Sequence, residues 1–229
     1  MRDTVSAAGI ILSAQPQGES DKRLVILTRE LGKITVFARG ARRAGSQFLA
    51  VCNPFVYAVF LMYEGRTAYT LAAVQDTVYF PELPSKDPGV YYGYYFLEAC
   101  GYFGQENLEA GEMVNLLYAS LRAVIRDVIP LQLIRRIFEC RLLTVNGEFA
   151  IPENLADDDP VRYALDYSMR AKYASLFAFG LAEDIFERYE KIIAAQMRRA
   201  AGERFRTLSV LDAIDDKKGI LYNRSDETI

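Results

Sequence analysis

The most constraining feature of this chain is a change of hydrophobic period around Phe80-Pro81-Glu82-Leu83-Pro84-Ser85-Lys86-Asp87-Pro88. Proline fixes φ and removes a backbone donor, so neither a strand nor a helix interior crosses a stretch with three of them. Before it, apolar and β-branched residues come in short runs divided by glycine and polar turns. After it, apolar residues recur at i, i+3, i+4. Strand texture on one side and helix texture on the other imply an α+β chain of two domains. The expected boundaries are 1–80 for a β domain, 81–88 for a linker, 89–215 for an all-α helical domain and 216–229 for a flexible tail.

Five strands are expected in the front part. They centre on Val5–Gln15, Leu24–Leu27, Ile34–Ala38, Phe55–Met62 and Tyr69–Val74. Arg29-Glu30-Leu31-Gly32-Lys33 joins the second to the third, with Gly32 able to supply the positive φ of a hairpin turn. Five short strands in so little chain fit a small closed barrel better than a sandwich, which needs about seven.

Behind the prolines, one helix starts near Tyr91. A second is expected over Glu109–Ile129, and a third begins at Pro130 and is closed by Asn146-Gly147. Asp157-Asp158-Asp159-Pro160 has the acids and proline of a helix start, and that helix is expected to continue to Phe179-Gly180. Glu183–Ala201 is the next, and Arg206–Ile214 a short last piece.

The chain contains no histidine. That excludes Ser-His-Asp and Cys-His nucleophile systems and every His-ligated metal site. The three cysteines, Cys52, Cys100 and Cys140, stand apart among apolar neighbours and read as buried thiols. No CxxC pair is present, so a zinc ribbon has no ligands. Neither a membrane-length apolar run nor the pattern of a signal peptide is seen, which leads to the expectation of a cytoplasmic protein.

A net charge of −3 hides an asymmetry. Lys22, Arg23, Arg29, Lys33, Arg39, Arg42 and Arg43 fall within 22 residues that hold one acid, Glu30. Strand centres there are apolar, so the cations gather at strand ends and in the loop from Arg39 to Ser46. Such a segment suits a polyanion, because each phosphate it neutralises releases counterions with little regard to sequence. Phe37, Phe48 and Tyr57 are candidates to stack on unpaired bases or, alternatively, to fill the barrel core. A solvated basic face is the competing reading of the cations.

The run Arg29-Glu30-Leu31-Gly32-Lys33-Ile34-Thr35-Val36-Phe37-Ala38-Arg39-Gly40-Ala41-Arg42-Arg43 resembles the RecO family of bacterial recombination mediators. So do Asn53-Pro54-Phe55, the strand from Gly65-Arg66 to Leu71, the helix Ile134-Arg135-Arg136-Ile137-Phe138-Glu139 and, more weakly, Phe205-Arg206-Thr207-Leu208. The resemblance implies an OB-fold β-barrel followed by a helical partner-binding domain, with no catalytic activity. It implies binding and annealing of single- and double-stranded DNA, with Arg66 joining the seven cations of the barrel. It further implies docking of the single-strand-binding protein C-terminal tail at Arg136, with Arg135 beside it, pairing with RecR, and help in loading recombinase. Many members carry paired cysteines after the "FELxLL" helix. Here Glu148–Tyr167 has none, so neither zinc nor any other cofactor is expected.

Two other readings stand against that one. An OB-like barrel can serve a protein- or RNA-binding adaptor without annealing activity. A nuclease would need clustered acids for metal, and the only dense run, Asp157-Asp158-Asp159, reads better as a helix start.

Overall fold

A computed structural model describes residues 4–202 and 204–214. The expected tail, 216–229, lies outside them. The chain divides into two compact units. The first comprises Met1–Pro81 together with Ala99–Tyr118, and the second Glu82–Glu98 together with Ala119–Ile229. A boundary therefore falls inside the proline segment, but 99–118, helical in sequence texture, belongs with the β part. The proline segment is itself ordered, with a 3-10 turn over Leu83–Ser85 and the Leu83 side chain fully buried.

Five strands close into a barrel in the order β1-β2-β3-β5-β4: β1 Thr4–Gln17, β2 Asp21–Thr28, β3 Gly32–Ala38, β4 Tyr57–Glu64 and β5 Tyr69–Val78. All neighbours are antiparallel except β3 and β5, which run parallel through Val36↔Tyr69 and Phe37↔Thr70. Strand alternation sends Leu24, Ile26, Ile34, Val36, Ala58, Phe60, Met62 and Leu71 inward to one core. One lap of paired residues reads Gln15, Arg23, Phe37, Thr70, Tyr63, Thr4. It starts near one end of β1 and returns near the other, which is the stagger a tilted, closed barrel requires.

The outer surface of β1 and β2 explains why 99–118 joins this unit. Leu12 and Leu27 are buried although the barrel interior is not where they point. Gly101 approaches Leu12, and Gly104 approaches Leu27 and Lys33 so closely that a Cβ there would crowd Leu27 Cδ1 at 3.0 Å. Gly32 has φ +68°, and a Cβ on it would overlap the carbonyl oxygens of Gln105 and Leu108. Glycine is thus needed there twice, for the turn and for the close approach.

In the second unit the central element is α3, Leu131–Val145. Every residue from Leu133 to Leu143 is buried, so the helix has no solvated face. It packs against α4, Pro160–Arg170, and α5, Glu183–Ala201. The remaining helices, α1 (Gly89–Phe103) and α2 (Gly111–Arg126), contribute residues to both units. A further helical stretch covers 206–214, and the Glu98 carboxylate accepts from the backbone N–H groups of Arg206 and Thr207 at its start.

One expected helix is shorter than its sequence pattern. It starts as foreseen, with the Asp159 side chain accepting from the Val161 N–H. It then ends at Arg170 rather than at Phe179. The Arg141 guanidinium reaches in from α3 and takes the carbonyls of Ser168 and Ala171. Those carbonyls would otherwise need further helix, and residues 173–177 run on as turns. Among the described residues no helix is long and apolar enough to cross a membrane.

Candidate nucleic-acid interface

The cations of the front part do not form one continuous track. The β2–β3 hairpin holds them at its two ends, roughly 20 Å apart by strand rise. At the turn end, Arg29 donates to Asn115 Oδ1 at 2.6 Å and Lys33 donates to the Gly101 carbonyl at 2.7 Å. Both are occupied in holding 101–115 onto the barrel.

The open end is different. Arg23 points outward, opposite Phe37, and donates to Thr35 Oγ1 at 3.3 Å. Beyond Ala38 the chain folds back as a loop fastened by Ala41, whose side chain is fully buried. Arg42 lies across the β1–β2 turn, its guanidinium donating to the carbonyls of Gly18 and Glu19. Its backbone N–H donates to the Ser20 carbonyl, and Asp21 Oδ1 accepts from the Gly40 N–H at 2.7 Å. Two loops thus become one surface, rimmed by Arg39, Arg42 and Arg43, all exposed. The Arg43 stem lies over Gly40, with Cδ 3.6 Å from where a Cβ would be. Arg66 is exposed in the turn closed by the Glu64–Tyr69 pair.

Lys22 faces the other way. Its Nζ donates to the Cys52 carbonyl at 2.8 Å and to Asn53 Oδ1 at 2.9 Å. It clamps the far end of the long 39–56 connection to β2. No ion pair joins any of these eight cations to a carboxylate among the described residues. Lys22, Arg23, Arg29, Lys33 and Arg42 hydrogen-bond neutral carbonyls, amides and hydroxyls instead.

The aromatic candidates separate cleanly. Phe48 packs against the barrel core. Tyr57 points outward but sits edge-on to Tyr118, with centroids 5.7 Å apart. Phe37 stands partly exposed on the outer face of β3, beside Arg23. Tyr63, not anticipated from sequence, occupies the same lap of the barrel, separated from Phe37 only by Thr70. Its signal was available: it alternates with the inward Phe60 and Met62, and so must face out.

In the second unit, Arg135 and Arg136 are not surface arginines. Both converge on Glu139, which is fully buried. Arg136 donates to Glu139 Oε2 at 2.7 Å and to Glu190 Oε1, while Arg135 donates to Glu139 Oε1 at 3.0 Å and pairs with Asp212. Tyr95 adds its hydroxyl to Glu139 Oε1 at 2.6 Å. Burial pushes the Glu139 carboxyl up, but the guanidiniums of Arg136 and Arg135 outweigh it and hold the group below the usual carboxylate range.

Residues 1–80 match the family model described as Recombination protein O N terminal. A DNA repair protein RecO from Alkaliphilus metalliredigens is 33% identical over 143 residues, covering 62% of this chain and 58% of that protein. One from Acetivibrio thermocellus is 22% identical over 245 residues, covering 92% of this chain and 97% of the relative. A third, from Clostridium novyi, is 27% identical over 138 residues, 60% of this chain and 54% of its own length. The stronger local matches thus span little more than half of those relatives, whereas the more distant one runs nearly end to end.

Proposed function

We propose that this chain, a member of the RecO family, has a part in DNA repair and recombination, and that its barrel binds DNA along the outer face of β2 and β3, with the phosphates held by Arg23, Arg39, Arg42 and Arg43. The observation that carries this is the open hairpin end, where the exposed guanidiniums of Arg39, Arg42 and Arg43 rim two joined loops and form no ion pair among the described residues. OB-type barrels use this strand face and its flanking loops for oligonucleotides. The chain works without catalysis, as a cytoplasmic mediator. It anneals complementary strands and helps load recombinase onto strands coated by single-strand-binding protein.

The second unit then serves protein partners, the single-strand-binding protein tail and RecR. Arg135 and Arg136 already hold carboxylates, so a docking tail has to displace the exposed Asp212 or the half-exposed Glu190 rather than the buried Glu139.

The test is a titration of labelled single-stranded and duplex DNA at several salt concentrations, with an annealing assay on the same sample. Arg39→Glu with Arg43→Glu lowers affinity for both by about tenfold or more and flattens the salt slope. Unchanged affinity in that variant rejects the site.

A further inference from the structure

The strand lap that carries Arg23 also carries two outward-facing, partly exposed rings. We infer that Phe37 and Tyr63 are specificity-determining residues, a two-ring platform that adds affinity for unpaired bases and none for a duplex. This rests on the DNA-binding reading above and assigns the strand class that the site prefers.

Three aromatics of the strands face outward: Phe37, Tyr57 and Tyr63. Tyr57 is taken by Tyr118. Phe37 and Tyr63 have no ring partner among the described residues, and both keep part of their surface in water. Their neighbours along the chain, Val36 and Met62, are buried in the core and fix which way the rings point. Phe37 and Tyr63 lie two strands apart, roughly 10 Å at Cα. Thr70, a short side chain, stands between them. The row continues to Arg23 and exposed Gln15 on one side and exposed Thr4 on the other. A cation, a ring, a small polar residue and a second ring therefore follow one another in a line.

Each part of that line acts on a different part of a nucleic acid. Guanidiniums act on phosphates, which both single strands and duplexes present. An aromatic side chain on a barrel surface can stack only on a base whose face is free. In a duplex those faces are covered by the next base pair. The cations thus set affinity for any DNA, and the rings set the preference for single strands.

The experiment uses the full chain, a labelled oligothymidylate, a duplex of equal length, and an oligomer with the same backbone but abasic sites. Stacking is lost with the base, so the unmodified protein is expected to bind the abasic oligomer about tenfold or more weaker than oligothymidylate. Phe37→Leu with Tyr63→Leu is expected to lose a similar factor on oligothymidylate, to stay within about twofold on the duplex and to keep its salt slope. Tyr63→Phe and Phe37→Tyr retain rings and should retain single-strand affinity. Equal binding of abasic and normal strands overturns the platform, as does a leucine variant that loses both substrates equally or neither. If charge reversal at Arg39 and Arg43 weakens both substrates while ring removal weakens none, the DNA site stands and the platform alone falls. If charge reversal changes nothing, the site falls with it.

Discussion

The Arg136 guanidinium and the Glu139 carboxylate meet at 2.7 Å inside the second unit, three residues apart on a helix with no solvated face. Arg135 approaches the other carboxylate oxygen, so a single buried negative charge answers two positive ones. Removing one partner from such a cluster strands a charge in a low-dielectric interior. Glu139→Gln is therefore expected to destabilise the protein by about 3–5 kcal/mol, as broken buried pairs do, read as a shift in urea midpoint. Arg136→Ala is expected to do the same. A loss of tail-peptide binding in that variant with an unchanged midpoint would instead make Arg136 a docking residue.

The same cluster sets a pH dependence. The Glu139 carboxyl in the folded chain lies below its ordinary value of 4.5. A depressed carboxylate contributes stability that is complete above the unfolded value and is lost as pH falls through the folded one. The stability gap between the natural chain and Glu139→Gln should therefore be widest above about pH 5 and narrow in acid. Midpoints measured from pH 3 to pH 7 check this, and a gap that widens in acid contradicts it.

The three thiols give a contrasting case. Burial pushes Cys52 from 9.0 up to about 11, against the opposing charge of Lys22, and burial also raises Cys100 and Cys140. All three are thus protonated and inaccessible at neutral pH. Iodoacetamide should label none of them in the folded protein at pH 8 and all of them in denaturant. A raised thiol favours the folded state below pH 9 and loses that contribution as pH climbs toward 11, so stability should fall across that window.

Gly32 joins turn and docking in one residue. An alanine there must adopt φ +68° and push its Cβ against the carbonyls of Gln105 and Leu108. The left-handed conformation alone costs about 1–2 kcal/mol, and the overlap adds to it. Gly32→Ala should therefore lower the thermal midpoint well beyond Gly45→Ala, whose glycine also has positive φ but open space around it. Equal losses would show that backbone conformation is the whole cost.

The barrel was legible because alternation, turn glycines and β-branched runs are local signals that agree with the final strands. The count of cations was legible too, but their division was not. Whether Lys33 faces solvent or the Gly101 carbonyl depends on a segment almost seventy residues later folding onto β2, and no local pattern carries that. Arg135 and Arg136 look like surface residues on a helix of period 3.6. They are buried because α3 packs against helices on more than one side, and only tertiary packing decides that. The end of α4 escaped for a similar reason, since the group that stops it, Arg141, comes from another helix. Tyr63, by contrast, could have been found from the alternation of β4.

Lys22 and Arg43 should separate anchoring from phosphate contact. Both belong to the same basic segment, yet Lys22 spends its ammonium on Cys52 and Asn53, while Arg43 holds its guanidinium exposed at the rim. The slope of log affinity against log salt counts the phosphates neutralised, at roughly 0.7 per contact for a single strand. Arg43→Ala should reduce that slope by about this amount and leave the melting temperature unchanged. Lys22→Ala should do the reverse, lowering the melting temperature because the 39–56 connection loses its clamp, with the slope intact. A salt slope that falls equally in both variants would place Lys22 on the phosphate chain and require the clamp to open when DNA binds.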